Sequence, residues 1–182
     1  MKLARLGAYR PVQNMQAGLI PSAVLVPLLP HPHGPVLLLG RRSELLSSHR
    51  GQICFPGGRL DPEDPNLVAC ALREAREEVG IIPDEIVVLG NLDDHVTTTG
   101  FRITPVVGVM HSDRPISPKS DELVSVHRIP LADLMRRSSW SRETVHQGTA
   151  MRMVQDVFHV EGHRVWGATA RIIQNLIRVL AD

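Results

Sequence analysis

The stretch GGRLDPEDPNLVACALREAREEVG, residues 57–80, decides how the rest of the chain is organised. Its second half predicts a helix on which Glu74, Glu77 and Glu78 stand at positions i, i+3 and i+4. Side chains at this spacing emerge on one face of a helix, so we expect a cluster of three carboxylates. Arg73, four residues before Glu77, can pair with that carboxylate and hold its rotamer. A cluster of this kind requires a cation.

The ends and the buried side of this helix can also be predicted. Asp64 or Asn66 can cap the first turn by accepting a backbone N–H, and Gly80 suits the left-handed residue that ends the helix. Gly57 and Gly58 predict a turn before it. An apolar stripe at helical spacing lies beside the carboxylates and predicts the face that anchors the helix: Val68, Ala71, Leu72, Ala75 and Val79.

Four arginines come shortly before the acidic helix: Arg41, Arg42, Arg50 and Arg59. One interpretation is a solvated loop whose cations screen the acids of the helix. The other is an anion cradle beside a metal site, because the guanidinium fork of arginine matches the oxygen atoms of a phosphate. Many cations next to many anions favour the second interpretation.

The remaining chain predicts one domain built around a sheet. Helices are expected at 3–9, 131–135 and 167–180, with a turn at 161–163 and strands at 22–29, 36–39, 53–55, 85–90, 101–110, 122–129, 144–147 and 151–160. The pattern is typical of an α+β protein with a mixed sheet flanked by helices. We expect an N-terminal arm at 1–20, packed on the body or on a second subunit, and a single domain at 21–182. The amphipathic ends of the chain are candidates for a homodimer interface.

Composition narrows the classes of function. The chain has 182 residues, 43% apolar and 21% charged, with a net charge of +1, so it has no overall attraction to nucleic acid or membranes. Aromatic residues make up only 3%, which disfavours stacking on nucleic-acid bases. Cys54 and Cys70 show no metal or disulfide spacing, and we expect both to be reduced core residues. A cytoplasmic location is the default expectation.

The acidic helix resembles a known signature. Gly58 followed by REAREEVGI at residues 73–81 is similar to the Nudix box, the motif of hydrolases that cleave a nucleoside diphosphate linked to another moiety. The resemblance implies the Nudix fold, an α-β-α sandwich around a mixed sheet. The chain departs from the usual box by one extra loop residue, and Asp64 takes the position of the box's early glutamate.

Further segments resemble the coenzyme A pyrophosphatase branch of this family. They are residues 38–43, 49–58, 99–101, 104–108 and 166–171. This resemblance implies that coenzyme A, or an acyl-coenzyme A, is hydrolysed to 3′,5′-ADP and 4′-phosphopantetheine. Many members of the branch carry a basic residue near Ser47. If that residue contacts the 3′-phosphate of coenzyme A, this chain would have to use Arg41, Arg42 or Arg50 instead.

The expected chemistry is metal-assisted hydrolysis of a phosphoanhydride. Mg²⁺ (or Mn²⁺) prefers carboxylate oxygens, waters and substrate phosphates, which the box supplies. We expect Glu74 and Glu78 as the main ligands, with Glu77 sharing the metal or positioning the water, and the resemblance adds a backbone carbonyl at Gly58. The general base comes from the box or from a later loop, where Glu122 is the candidate; a solvated acid at a strand edge is an equal interpretation of Glu122.

Three other interpretations stay open. The first is the same chemistry on ADP-ribose, NADH or a nucleoside triphosphate. The second is a binding module of Nudix shape without catalysis, although such modules usually lose a carboxylate that this chain retains. The third is a surface helix rich in ion pairs, which leaves the glycine pair and the upstream arginines unexplained.

Overall fold

The computed structural model describes residues 3–147, 151–160 and 162–181. The outer ends of the expected arm and domain, and the first residue of the turn expected at 161–163, lie outside this description. The helices are α1 (Ala4–Ala8), α2 (Leu67–Val79), α3 (Leu131–Leu134) and α4 (Gly167–Ala181). The strands are β1 (Ile20–Leu29), β2 (Val36–Arg42), β3 (Ile53–Cys54), β4 (Gly57–Arg59), β5 (Ile86–Asn91), β6 (His95–Val96), β7 (Phe101–Met110), β8 (Leu123–Pro130), β9 (Trp140–Gln147), β10 (Met151–Val160) and β11 (His163–Val165).

The main sheet is built around β1. This strand pairs in parallel with β7 along nearly its whole length, from Ile20 opposite Phe101 to Leu28 opposite Val109. It also pairs antiparallel with β2 and with β4. The strand order is β3-β2-β1-β7-β5, with β8 added on β2 and β6 on β7, so the sheet is mixed as expected. A smaller antiparallel sheet has the order β11-β10-β9.

Both faces of the main sheet are buried, because the apolar residues of its strands alternate between two cores. On one face, Leu25 and Leu38 pack with Ala71 and Val79 of α2. The opposite face packs against α4, α3 and Phe158 of the small sheet. The fold is therefore an α-β-α sandwich around a mixed sheet, which confirms the expected architecture.

The two terminal helices pack on the body of the protein. Leu6 of α1 is buried, and α4 buries one complete side through residues such as Ile173 and Leu176. The chain after α1 is held by two aspartates: Tyr9 Oη donates to Asp93 Oδ1 at 2.7 Å, and the Asn14 N–H donates to Asp94 Oδ2 at 2.9 Å. None of the helices in the described ranges is both long and apolar enough to span a membrane.

Two local expectations are corrected. The turn expected at Gly57 and Gly58 is wrong, because both belong to strand β4, which pairs with residues 22–24 of β1. The loop expected between β5 and β7 contains the short strand β6. In both cases pairing with a distant strand supplies hydrogen bonds that the local sequence does not indicate.

Treating residues 1–20 as an arm on a single domain at 21–182 remains our proposal. Its support is that β1 begins at Ile20 and that contacts between α1 and the body run to β5 and α4.

Candidate active site

Helix α2 carries the candidate site, and its ends fix its position. Asn66 caps the helix by accepting the Ala69 N–H at 2.9 Å, which decides between the two expected caps. Gly80 follows the last turn in the left-handed conformation, with a φ of 69°, as expected. Cys70, Ala71, Ala75 and Val79 are buried against the sheet. The acidic side of the helix is thereby held beside strand β4.

Glu78 is turned inward from this helix. Only 6% of the residue is exposed, and its Oε2 accepts the N–H of Gly57 at 3.0 Å. Burial, as the largest cause, and the charges of Glu74 and Glu122 together raise the pKa of Glu78 to about 7, against the opposing hydrogen bond from Gly57. A buried carboxylate of this kind binds a cation or a proton readily.

Glu74 lies directly against Gly58. A Cβ atom at Gly58 would stand 2.3 Å from Glu74 Oε1, so only glycine leaves room for this carboxylate. Burial raises the pKa of Glu74, and the neighbouring charge and hydrogen bond of Arg73 partly oppose that rise. Strand β4 is therefore shaped to accept the carboxylates of two successive turns of α2.

Arg73 connects the acids of the site. Its guanidinium forms a forked pair with Asp64, with Nε to Oδ1 at 2.9 Å and Nη2 to Oδ2 at 2.8 Å. Its Nη1 donates to Glu74 at 3.0 Å and to Glu77 at 3.1 Å, which confirms the expected pair with Glu77. The hydrogen bonds from Arg73 lower the pKa of Asp64 to about 2. Both carboxylate oxygens of Asp64 therefore bind Arg73.

The three glutamates do not converge on one point. Among the side chains that the structure describes, no three of His, Cys, Asp or Glu are grouped closely enough to hold a metal ion as they stand. The expected single cluster is corrected in this respect: Glu78 turns in toward Gly57, while Glu77 turns out toward Arg73 with 58% of its side chain exposed. Rotation of the long glutamate side chains would be needed to bring their oxygen atoms together.

Glu122 lies beside this group. Its backbone carbonyl accepts the Ser43 N–H at 2.8 Å, and its carboxylate accepts from Arg42 Nη2 at 3.3 Å. The charge of Glu122 contributes to the raised pKa of both Glu74 and Glu78, so the structure brings it to the site although it is distant in sequence. Its carboxylate is half exposed.

The four upstream arginines are not brought together. Arg42 reaches Glu122, as described above, but Arg41 pairs with Glu44 at 3.0 Å on the opposite side of strand β2. The Arg50 side chain donates to the carbonyl of Leu46 within its own loop. Arg59 extends over the ring of Phe101, 5.0 Å from its centroid, while its carbonyl accepts from Arg73. The expectation that the four arginines converge is therefore corrected: of their side chains, that of Arg42 is the one seen to contact an acid of the site.

Sequence reasoning missed the residues that support the end of α2. Arg114 donates to the carbonyl of Gly80 at 2.6 Å and pairs with Glu85, and the Lys119 N–H donates to the carbonyl of Glu78 at 2.8 Å. These contacts come from the irregular segment between β7 and β8. No local pattern predicts them, because they depend on how a long loop folds back.

A groove of about 640 Å³ runs along the outer side of α2. It lies next to the ion pairs of Arg73 and is lined by Asp64, Ala69, Leu72, Arg73, Arg76, Glu77 and Pro83. The site is thus open to solvent on the side where Glu77 is exposed.

Comparison with known proteins gives consistent matches. The family model of the NUDIX domain matches residues 19–147. A protein named uncharacterized Nudix hydrolase NudL from Cronobacter sakazakii is 41% identical over 155 residues, which are 85% of this chain and 80% of that protein. A protein of the same name from Klebsiella pneumoniae subsp. pneumoniae is 42% identical over 156 residues, with the same shares of both chains.

Solved structures share the fold at low sequence identity. DR0079 from Deinococcus radiodurans superimposes with a TM-score of 0.56 at 16% identity, over 88% of this chain and 87% of that one. The NUDIX domain of Shewanella oneidensis NrtR, solved with ADP-ribose, gives a TM-score of 0.52 at 22% identity, over 74% and 86%.

Proposed function

The chain belongs to the Nudix family, and from this premise we propose that it is a divalent-metal-dependent pyrophosphohydrolase whose substrate is coenzyme A or an acyl-coenzyme A. As a Nudix hydrolase it acts on nucleoside diphosphate-linked substrates. The observation that supports the metal requirement is the pair of carboxylates packed against the glycine strand β4, of which Glu78 is buried and Glu74 is partly buried.

The residues of the site fit a hard divalent cation. Placing two carboxylates side by side, one buried and one partly buried, is unfavourable unless a positive charge compensates them, and the raised pKa values of Glu78 and Glu74 reflect that cost. Carboxylate and carbonyl oxygens are the ligands that Mg²⁺ and Mn²⁺ prefer. We propose that Glu74, Glu78 and Glu77 hold the ion, together with the carbonyl of Gly58. When bound, the ion neutralises phosphate charge and makes a coordinated water more acidic.

The remaining residues of the site have positioning and proton-transfer roles in this proposal. Arg73 holds Glu74 and Glu77 through its two Nη1 contacts, so that Glu77 is ready to orient water or join the metal. We assign the role of proton acceptor to Glu122, because it is half exposed and, in the part of the chain that the structure describes, Arg42 alone is hydrogen bonded to its carboxylate. A Glu122→Gln variant with unchanged turnover would remove it from the mechanism and leave the base within the box.

The assignment to coenzyme A rests on sequence segments. The segments at 38–43 and 49–58 that resemble the coenzyme A pyrophosphatase branch form the end of β2, the loop after it and the start of β4. These elements border the site, since Arg42 contacts Glu122 and Gly57 contacts Glu78. Substrate-contacting roles for Arg41, Arg50 and Arg59 stay predictions, because their side chains make other contacts here.

A substrate panel tests this proposal. Purified protein is incubated with Mg²⁺ or Mn²⁺ and coenzyme A, dephospho-coenzyme A, ADP-ribose, NADH or nucleoside triphosphates, and the products are separated by chromatography. We expect coenzyme A to give 3′,5′-ADP and 4′-phosphopantetheine with the highest kcat/KM. A preference for ADP-ribose would reject the substrate and retain the site, whereas no metal-dependent hydrolysis of any substrate would favour a binding module.

A further inference from the structure

A second polar cluster lies on the face of the main sheet opposite α2. Arg41 of β2 stands directly across from Ser125 of β8, and His127 follows two residues later on the same face. Ser125 Oγ lies 2.8 Å from His127 Nε2. The ring of His163, from β11, packs on that of His127 with a centroid separation of 4.0 Å. We call these four residues, Arg41, Ser125, His127 and His163, the histidine cluster.

The histidine cluster lacks negative charge. In the described parts of the chain, no carboxylate is hydrogen bonded or ion paired to His127 or His163. The one acid that reaches the cluster is Glu44, which pairs with Arg41 from an exposed loop. Burial lowers the pKa of His127, and the neighbouring His163 and the charge of Arg41 lower it further. The free protein therefore disfavours the protonated form of His127, which lies between His163 and Arg41.

The same groups suit an anion with several oxygen atoms. Arg41 can offer its fork and His163 an N–H. The hydrogen-bonded pair of Ser125 and His127 offers one further donor, which is the Ser125 O–H or the His127 Nδ1–H according to the tautomer. Hydrogen bonds from such donors to a charged acceptor are the strong ones. A metal ion fits less well, because the two imidazole rings pack directly against each other at a tilt and no third ligand accompanies them among the described residues. We propose that the histidine cluster is a second anion-binding site, which takes a monoester phosphate group as a dianion.

The location of the cluster connects it with the substrate. Arg41 and Arg42 are consecutive at the end of β2 and face opposite sides, so the cluster and the catalytic site adjoin at the end of this strand. Ser125 follows Glu122 by three residues, a stretch that spans at most ~11 Å even when it is fully extended. A ligand that carries a phosphate separate from its diphosphate could occupy both sites by passing over the end of β2. The identification of this phosphate as the 3′-phosphate of coenzyme A rests on the proposed function.

Inorganic phosphate tests the site without turnover. In an NMR titration at constant pH and ionic strength, we expect the ring resonances of His127 and His163 to shift saturably and those of exposed His33 to stay in place. Arg41→Gln should weaken phosphate binding about tenfold, because one charged hydrogen-bond donor is lost. Ser125→Ala removes one neutral hydroxyl group and leaves every charged side chain in place, and it should weaken phosphate binding about fivefold. Ring resonances that do not respond to phosphate would overturn the proposal.

Kinetics then identify the source of the phosphate. In His127→Gln, we expect the ratio of kcat/KM for coenzyme A to kcat/KM for dephospho-coenzyme A to fall about tenfold, whereas His33→Gln should leave the ratio unchanged. A saturable phosphate shift with an unchanged ratio would support the site and assign it to free phosphate. If coenzyme A is not hydrolysed, the proposed function fails while the titration still decides the site. Normal hydrolysis without a phosphate shift would reject the site alone.

Discussion

At the scale of single residues, Arg73 has the largest number of contacts in the site. Its fork is shared between Asp64 on one side and the glutamates of α2 on the other. We expect Arg73→Lys to lower the free energy of unfolding by roughly 1–3 kcal/mol, because an ammonium cannot reproduce the forked pair with Asp64. Urea denaturation measures this change, and kcat should fall as well because Glu74 and Glu77 lose their common donor.

The matched control is Arg76→Lys, on the same helix. Arg76 is exposed, and among the described residues its side chain forms no ion pair with the acids of the site, so its replacement should leave unfolding and turnover within experimental error. Equal effects of the two substitutions would contradict a special role for Arg73.

Replacement of Glu78 should affect catalytic turnover and the stability of the metal-free protein differently. We expect Glu78→Gln to reduce metal-dependent turnover about 100-fold or more, because charge stabilisation by the bound ion contributes several kcal/mol. The metal-free variant should unfold at the same temperature as the wild type or higher, since a buried carboxylate without a cation is costly. Turnover assays and thermal unfolding in EDTA provide both measurements.

Glu63→Gln provides the comparison for this variant, because Glu63 is exposed in the loop before α2. Full activity of Glu78→Gln would remove Glu78 from the metal site. A large loss of stability without metal would show instead that the Gly57 hydrogen bond, not the burial cost, dominates at this position.

The helix caps illustrate what a local pattern can decide. The sequence allowed Asp64 or Asn66 to cap α2, because both side chains have the required chemistry and neither position is excluded by spacing. The choice depends on Arg73, which binds both oxygen atoms of Asp64 and leaves the cap to Asn66. The cap is therefore decided by the pair between Asp64 and Arg73, which lies nine residues later, and the preferences of single residues for the cap position carry no information about such a pair.

At the scale of elements, strand β4 gives a prediction that compares two adjacent glycines. A Cβ at Gly57 would lie 2.4 Å from the backbone carbonyl oxygen of Ala23, whereas the three atoms nearest to a Cβ at Gly58 all belong to the flexible carboxylate of Glu74. We expect Gly57→Ala to destabilise the fold by about 1–3 kcal/mol, because backbone cannot move aside. Gly58→Ala should lose less stability but most of its activity, since Glu74 is displaced.

The comparison is made by urea denaturation and by metal-dependent turnover of the two variants. Greater destabilisation by Gly58→Ala than by Gly57→Ala would mean that Glu74 cannot rotate away. Gly34→Ala is the control for glycine replacement itself, because no atom lies within 4 Å of a Cβ at that position, although its φ of +105° adds local strain.

The expected glycine turn failed as a prediction for a physical reason. A glycine pair indicates either a turn or a close approach of two backbones, and local sequence does not distinguish them. Pairing of Gly57 and Gly58 with Val24 and Ala23 of β1 decides for the close approach. The helix after it was predictable because its apolar stripe, cap chemistry and C-terminal glycine all agreed.

The segment after α1 yields a prediction for pH. Asp93 accepts hydrogen bonds from Tyr9, Val12 and Arg178. Burial alone would raise the pKa of Asp93, but these donors outweigh it and hold the pKa below its usual range. Because the folded state favours the charged form, the stabilisation is complete above the unfolded pKa of about 4 and is lost as pH falls through the lower folded value.

We therefore expect Asp93→Asn to lower the free energy of unfolding by about 1–2 kcal/mol at neutral pH, and this difference from the wild type to shrink below about pH 4. Urea denaturation at a series of pH values measures it. A difference that grows on acidification would contradict the charged role of Asp93. Asp84→Asn, in the turn before β5, serves as the control.

At the scale of the whole molecule, metal binding should change global stability. Any ligand that binds only the folded state stabilises it, by about 2.7 kcal/mol at a hundred times its Kd. We expect Mg²⁺ to raise the unfolding temperature of the wild type in a concentration-dependent way, and to raise that of Glu78→Gln much less. NaCl at equal ionic strength is the control. Equal stabilisation of both proteins by Mg²⁺ would place the ion elsewhere.

The architecture was predictable from hydrophobic periodicity, but the distribution of the arginines was not. Arg41 and Arg42 are neighbours in sequence, yet side chains alternate along a strand, so only Arg42 faces α2. The sequence did not show that β2 continues through both arginines, and they were therefore interpreted as parts of one polar loop. Their separation places one arginine in the catalytic site and the other in the histidine cluster.

The central position of β1 has a consequence for the order of folding. β1 pairs in parallel with β7, and both β4 and α2 lie between these two strands in sequence. Pairings between distant strands form slowly, because a long loop must close first. During synthesis, α2 would emerge from the ribosome before β7 does. Until β7 emerges, the acidic helix would therefore lack part of the sheet against which it packs.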